Sequence, residues 1–237
     1  MKICSKAMVV AAILALGFAS GAGAGTIGTV TIGYTGVDPG GICKIWGGPF
    51  SGQAVYAGFY NHNKTDDTDQ GDLIPDDTIK TFCIELPQGT EHPGDVYDVI
   101  LPREAPLPSM YGTPMGYAKE NLLRELWASH YSQALLSPVD ALVMQECVWE
   151  IVYENTGTLD VTAGDFKADG YTDQANSWLA GLNGTGTKTP LVALSHPNHQ
   201  DYLVEINGYS IPVPEPATLA FLAAGLGGMV LRRRRPR

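Results

Sequence analysis

Apolar and polar residues alternate in several separated stretches of the chain. Thr26 to Tyr34 reads TIGTVTIGY, a period-two run rich in Thr, Val and Ile that predicts a strand. Ala54 to Tyr60, Thr78 to Leu86 and Asp95 to Leu101 predict three more, and Thr189 to Leu194 and Tyr202 to Ile206 return to strand character. Within Thr78 to Leu86 the alternation puts Phe82, Ile84 and Leu86 on one face and Thr81, Cys83 and Glu85 on the other. Between the first two strands, DPGGICKIWGGP carries too much Gly and Pro for a continuous element and predicts a loop.

The period changes to that of a helix in the middle of the chain. Thr113-Pro114 opens the first helix as N-cap and first helical residue, and Leu122, Leu123, Leu126, Trp127 and Tyr131 form its buried stripe. Ser137-Pro138 opens a second, with Asp140 in a box-like position, running to about Tyr153. Its sequence VDALVMQECVWEIVYE is apolar on nearly all sides, which places it centrally in the fold. A third spans Thr172 to Leu182, with Trp178 and Leu179 inward and Asn183-Gly184 at its end. Strands, then helices, then strands predict an α+β fold: a mainly β domain with a central helical insertion, not a doubly wound sheet.

The ends obey other rules. Lys2 and Lys6, an apolar stretch from Ala7 to Ala19 and the small-residue exit Ala22-Gly23-Ala24 predict a secretory signal over 1–24, with Gly25 first in the mature protein. The body then covers 25–210. In the tail, 211–237, the 15 uncharged residues from Ala217 to Leu231 predict a short membrane helix, about 22 Å against a hydrocarbon core of about 30 Å. Arg232, Arg233, Arg234 and Arg235 would hold its end at the cytoplasmic face. Together, Val213-Pro214-Glu215-Pro216, the apolar helix and the arginine cluster resemble the PEP-CTERM sorting signal of Gram-negative bacteria. The resemblance implies recognition by an exosortase, a membrane cysteine transpeptidase, in species that usually make exopolysaccharide. It further implies passage through the inner membrane, body outward, toward the cell surface or extracellular matrix.

Charge removes other partners. The eight Lys and Arg of residues 25–216 face all 25 Asp and Glu, a balance of −17, so the body repels nucleic acid and anionic lipid. No cofactor is expected. His196 and His199 read as loop histidines, and the run Asp66, Asp67, Asp69, Asp72, Asp76 and Asp77 as a solvated acidic loop without the spacing of a calcium site. Glu146, Glu150 and Glu154 read as the one solvated stripe of their helix.

The cysteine count carries more information. Cys4 leaves with the signal, and Cys43, Cys83 and Cys147 remain, an odd number in an exported protein. Gln145 lies four residues before Trp149, on the same helical face. A buried glutamine amide left without partners costs on the order of 1 to 3 kcal/mol, so it must be bonded or be consumed. A cysteine consumes it by attacking the carboxamide carbon and expelling ammonia, which leaves an internal thioester if sulfur and carbon meet within roughly 3 to 3.5 Å.

Thr81-Phe82-Cys83-Ile84-Glu85-Leu86, followed by Met144-Gln145-Glu146-Cys147-Val148-Trp149-Glu150-Ile151, resembles the Cys-Gln thioester domain of bacterial surface adhesins. The resemblance implies that Cys83 supplies the sulfur and Gln145 the acyl group, with Trp149 as the helix tryptophan. It also implies covalent binding to amines on host or matrix proteins. Met144 stands where that family has Thr, and Cys147 where it has Ala. Three states of the sulfur stay open: the thioester, a disulfide of Cys83 with Cys147 or one involving Cys43, and free buried thiols. The resulting expectation is a non-enzymatic exported surface or matrix protein, adhesive through the thioester, with exopolysaccharide or amine-bearing matrix proteins as partners. The alternative is an exopolysaccharide-processing hydrolase, which requires two carboxylates roughly 5 to 9.5 Å apart across an open groove.

Overall fold

The computed structural model describes residues 25–76, 78–90, 94–105 and 114–206. The expected signal at 1–24 and the expected membrane helix of the tail at 211–237 lie outside the described residues, as do Asp77, His92 and Thr113. The strands are β1 (Gly28–Gly47), β2 (Phe50–Asp69), β3 (Thr78–Cys83), β4 (Asp95–Ile100), β5 (Lys167–Ala168), β6 (Leu191–Ser195) and β7 (Tyr202–Glu205). The helices are α1 (Gly116–Ala134), α2 (Pro138–Tyr153) and α3 (Thr172–Leu179). Among the described residues, no helix is long and apolar enough to cross a membrane.

The alternation of short apolar strands produces a closed sheet. β1 pairs with β2, β2 with β3, β3 with β7, β7 with β6, β6 with β4 and β4 with β1, all antiparallel, while β5 adds to β1 at Ile45 and Trp46. Closure covers β1 at Gly28–Ile32 and β2 at Tyr60–Asn63, while the rest of the two long strands pairs mainly with each other. Val30, Ile32, Tyr97, Val99, Val192, Leu194 and Tyr202 form one buried cluster with Cys83 and Trp149. Phe59, Phe82, Ile84, Ile100, Ala193 and Leu203 belong to a second, shared with the three helices. Phe82 and Ile84 thus separate from Cys83, as the alternation requires. Leu86 does not follow, because β3 stops at Cys83 and Leu86 packs against the Cys83 cluster.

The Gly- and Pro-rich segment expected to be a loop is part of β1. Both β1 and β2 run for 20 residues, and the ladder continues through Ile42↔Tyr56, Cys43↔Val55 and Lys44↔Ala54 with four register irregularities. Cross-strand pairing overrides the local loop signal, and glycine permits the close approach. Gly58 has φ +149°, and a Cβ there would fall 2.4 Å from the Pro39 carbonyl oxygen. The acidic run is also not a free loop: Asp66 and Asp67 lie in β2 opposite Thr31 and Val30. Lys64 sits among them, paired with Asp67 and, at 3.2 Å, Asp76, and donating to the carbonyls of Gly71 and Ile74.

Helix α2 begins as its sequence predicts, with the Asp140 N–H donating to Ser137 Oγ at 3.1 Å. Helix α1 instead starts at Gly116 with Met115 at its N-cap, and α3 ends at Leu179 rather than Leu182. The N–H groups of Asn183 and Gly184 donate to buried Glu125. α2 is central, as expected, because three different surfaces cover it. Val143, Met144, Cys147, Val148 and Ile151 pack in the helix-side cluster, while Leu142 and Trp149 join the cluster of the closed sheet.

The third side corrects the expected solvated stripe: Glu146 and Glu150 are 0% exposed and Glu154 is 4% exposed. The segment 155–171 covers them and donates backbone N–H groups to all three. Gly170 and Tyr171 bond Glu146, Asp160 bonds Glu150, and Thr156 and Asp165 bond Glu154. The N–H groups of the covering chain offset part of the cost of burying these carboxyls, although Glu150 Oε2 keeps no partner among the described residues.

Candidate functional site

Three residues at fourfold helical spacing, Gln145, Trp149 and Tyr153, lie along the segment from Cys83 to Leu86. The Cys83 N–H donates to Gln145 Oε1 at 3.0 Å, and Gln145 Nε2 donates to the Cys83 carbonyl at 2.8 Å. One turn further on, Trp149 packs in the same buried cluster as Cys83, its indole N–H buried without a hydrogen-bond partner among the described residues. A turn beyond that, the Tyr153 hydroxyl accepts from Leu86 N–H at 2.9 Å and donates to the Ile84 carbonyl at 3.1 Å. Strand geometry aims Cys83 at this helix face, and the helical repeat brings the three side chains to consecutive parts of one chain segment.

Cys83, Gln145 and Trp149 are all 0% exposed. Burial pushes the Cys83 thiol up to about 12, opposed by its hydrogen bond to the Glu85 backbone and by the Trp149 indole, and reinforced by the charges of Glu85 and Asp201. The proton therefore stays on sulfur at neutral pH unless a reaction removes it. The backbone N–H on Gln145 Oε1 is placed to stabilise negative charge developing on that oxygen during attack at the carbon. Exclusion of water protects any ester formed there from hydrolysis.

The alternative disulfide is not formed: Cys43, Cys83 and Cys147 are all free. Cys147 Sγ contacts the Ala175 carbonyl of α3 at 3.5 Å, whereas Cys83 Sγ contacts the Glu85 carbonyl at 3.5 Å. Cys147 follows Gln145 by two residues, roughly 200° around the helix, so the body of α2 separates the sulfurs. Cys43 faces Glu146 on the third side of α2, and burial raises its thiol as well. Met144 also points to the helix-side cluster. Both departures from the adhesin pattern thus lie away from the Cys83 contact.

Other expected groups are placed differently. His196 and His199 stack at 4.6 Å and are half-buried rather than loose, with His199 Nε2 3.1 Å from Asp95. Among the described residues no group of three or more His, Cys, Asp or Glu is arranged to hold a metal ion. A cleft of about 420 Å³ is lined by Phe50, Leu86, Lys119, Tyr153, Asp165 and Phe166 among others, with Asp165 its one carboxylate residue among the described residues. A smaller cleft of about 280 Å³ has Glu205 as its one carboxylate residue among the described residues, and Glu205 accepts from the Trp127 indole at 3.0 Å. At the start of the body, Gly25 N lies 2.9 Å from Glu104 Oε2.

Sequence reasoning missed Tyr153 as part of the site, although the spacing that pairs Gln145 with Trp149 reaches it one turn later. It also missed the role of the Cys83 main chain, which no side-chain pattern encodes.

The PEP-CTERM protein-sorting motif is matched at residues 212–235, which contain Val213 to Pro216 and Arg232 to Arg235. The motif implies recognition by an exosortase and export through the membrane to the cell surface. No curated protein and no solved structure matches the chain.

Proposed function

We propose that the body is a non-enzymatic surface or matrix adhesin that joins amine-bearing partners through an internal Cys83–Gln145 thioester. The observation that carries this reading is the closure of the Gln145 carboxamide on the Cys83 main chain, with Trp149 in the same buried cluster as Cys83 and all three out of water. In the forming step Cys83 Sγ bonds to Gln145 Cδ and the bond from Cδ to Nε2 breaks. The thiol proton leaves with that nitrogen as ammonia, so no oxidant or external base is consumed. Oxygen charge is met by the Cys83 N–H. A partner's primary amine later replaces sulfur at Cδ and returns a proton to it, leaving an amide cross-link and a free thiol.

The hydrolase alternative needs a carboxylate pair in a groove. One carboxylate residue in each cleft, and the use of the α2 glutamates to hold a loop, favour adhesion. The test of the thioester is the intact mass of the exported chain. It should lie about 17 Da below that of the unmodified chain, and methylamine should add at Gln145 while freeing one thiol. A full mass and no methylamine adduct would remove the thioester.

In this reading the secretory signal is removed after Ala24, which turns the Gly25 nitrogen into an ammonium beside the Glu104 carboxylate. The tail holds the chain in the inner membrane, body outward, until sorting. Deleting 217–237 is expected to move the protein from the membrane fraction into the soluble exported fraction, because the apolar helix and its arginines are lost together. Fractionation that still finds the truncated chain in membranes would identify a different anchor.

A further inference from the structure

Cys83 and Gln145 are sealed from solvent, so a partner amine needs a passage. We propose that this passage is the cleft of about 420 Å³ and that Tyr153 is its gate; the acceptor is a slender, unbranched primary alkylamine. The proposal rests on the thioester reading for its reaction but not for its geometry.

Of the two clefts described, the larger has walls from both the chain segment after Cys83, through Leu86, and the Gln145 stripe, through Tyr153. The smaller has neither. Beside Tyr153 in the cleft wall, the Phe166 ring lies 6.2 Å from Tyr153 and 6.3 Å from Trp149, which packs in the same buried cluster as Cys83. Eight residues of helix separate Tyr153 from Gln145, about 12 Å, so an acceptor must be narrow and extended to reach the carbon. Phe50, Val152 and Phe166 offer apolar walls for methylenes, and Asp165 a carboxylate for the ammonium. The cleft already cradles one primary ammonium: Lys119 Nζ donates to the Val152 carbonyl at 2.7 Å and to Asn155 Oδ1 at 3.0 Å.

Tyr153 suits a gate because it is the last residue of α2 and its hydroxyl latches to both Ile84 and Leu86. Terminal helical turns open locally at lower free energy than helix centres. Releasing the hydroxyl from Ile84 and Leu86 and the ring from its stack on Phe166 lets Tyr153 move at the helix end, two turns from Gln145. The amine nitrogen then bonds to Gln145 Cδ, the bond from Cδ to Cys83 Sγ breaks, and the amine proton passes to sulfur.

The test compares wild type, Tyr153→Phe and Tyr153→Ala in the exported chain. Incorporation of methylamine and of a bulky primary amine at Gln145 is followed by peptide mass, together with iodoacetamide labelling of Cys83 and Cys147. Tyr153→Ala should accelerate the bulky amine by about tenfold or more and methylamine by less, with Tyr153→Phe between, as expected when a gate limits access. Labelling of Cys147, on the α3 side of the helix, should not change. Equal rates in all three proteins, or parallel acceleration at Cys147, would overturn the gate, the second by showing general unfolding. A wild-type chain with no mass loss would defeat the thioester instead, and iodoacetamide at Cys83 against Cys147 then decides the passage by itself.

Discussion

Cys83→Ser is expected to abolish the mass loss and the methylamine adduct completely while leaving the fold close to its original stability. Serine keeps the Cys83 backbone, and with it both hydrogen bonds to Gln145, but replaces the attacking sulfur by a hydroxyl. Gln145→Ala should remove the same two signals at a higher structural cost. It orphans a backbone N–H and a carbonyl that are buried at Cys83, on the order of 1 to 3 kcal/mol for each group. That is a large part of the roughly 5 to 15 kcal/mol by which a domain is usually stable. The pair of variants therefore separates chemistry from packing when intact mass and thermal unfolding are measured together. A methylamine adduct that survives Cys83→Ser would place the reactive acyl group elsewhere.

The second large effect is a loss of stability as pH rises through neutrality. Burial is the main cause that lifts Glu146 and Glu150 from 4.5 to about 7, although backbone N–H groups oppose the shift. Glu146 faces Cys43 of β1 and Asp169, and Glu150 faces Glu154, Asp160 and, from α1, Lys119. Glu150 Oε2 is buried with no hydrogen-bond partner among the described residues, which disfavours the charged form. Between about pH 4.5 and 7 the folded protein holds more protons than the unfolded chain. Unfolding free energy must then fall as pH rises across that window and level off above it, each carboxyl contributing on the order of 3 kcal/mol. Glu154 and Asp160 have the opposite sign. Hydrogen bonds from the covering segment hold both below their ordinary values, so their contribution disappears as acid protonates them in the folded state.

The expected stability maximum is mildly acidic. Denaturant unfolding from pH 4 to 8 measures it, and Glu150→Gln should flatten part of the descent between pH 5 and 7. Stability that instead climbed steadily from pH 5 to 8 would show that these two glutamates are charged in the folded protein.

The meeting of Cys83 and Gln145 was legible because its information is periodic. Alternation along β3 assigned Cys83 to the face opposite Phe82, and a repeat of four residues put Gln145 and Trp149 on one side of α2. The sorting tail was legible for another reason: its motif acts as a linear segment, with composition and charge sufficient to define it. Helix capping at Ser137 is equally local, since the hydroxyl and its acceptor site are three residues apart.

What the tertiary structure alone decided is which long-range partner covers each face. The chain through Gly40 and Gly41 looks like a loop until β2 supplies a hydrogen-bonding partner along its length, and then pairing outweighs the conformational freedom of glycine. Glu146, Glu150 and Glu154 look like a solvated stripe until the segment 155–171 folds over them and brings N–H groups, which replace water as their solvent. Cys83 and Cys147 look like a disulfide pair until α2 stands between their sulfurs. Periodicity is a property of neighbouring residues and is written in the sequence itself. Burial and partnership are properties of segments brought together from far along the chain, and only the closed sheet with its central helix determines them.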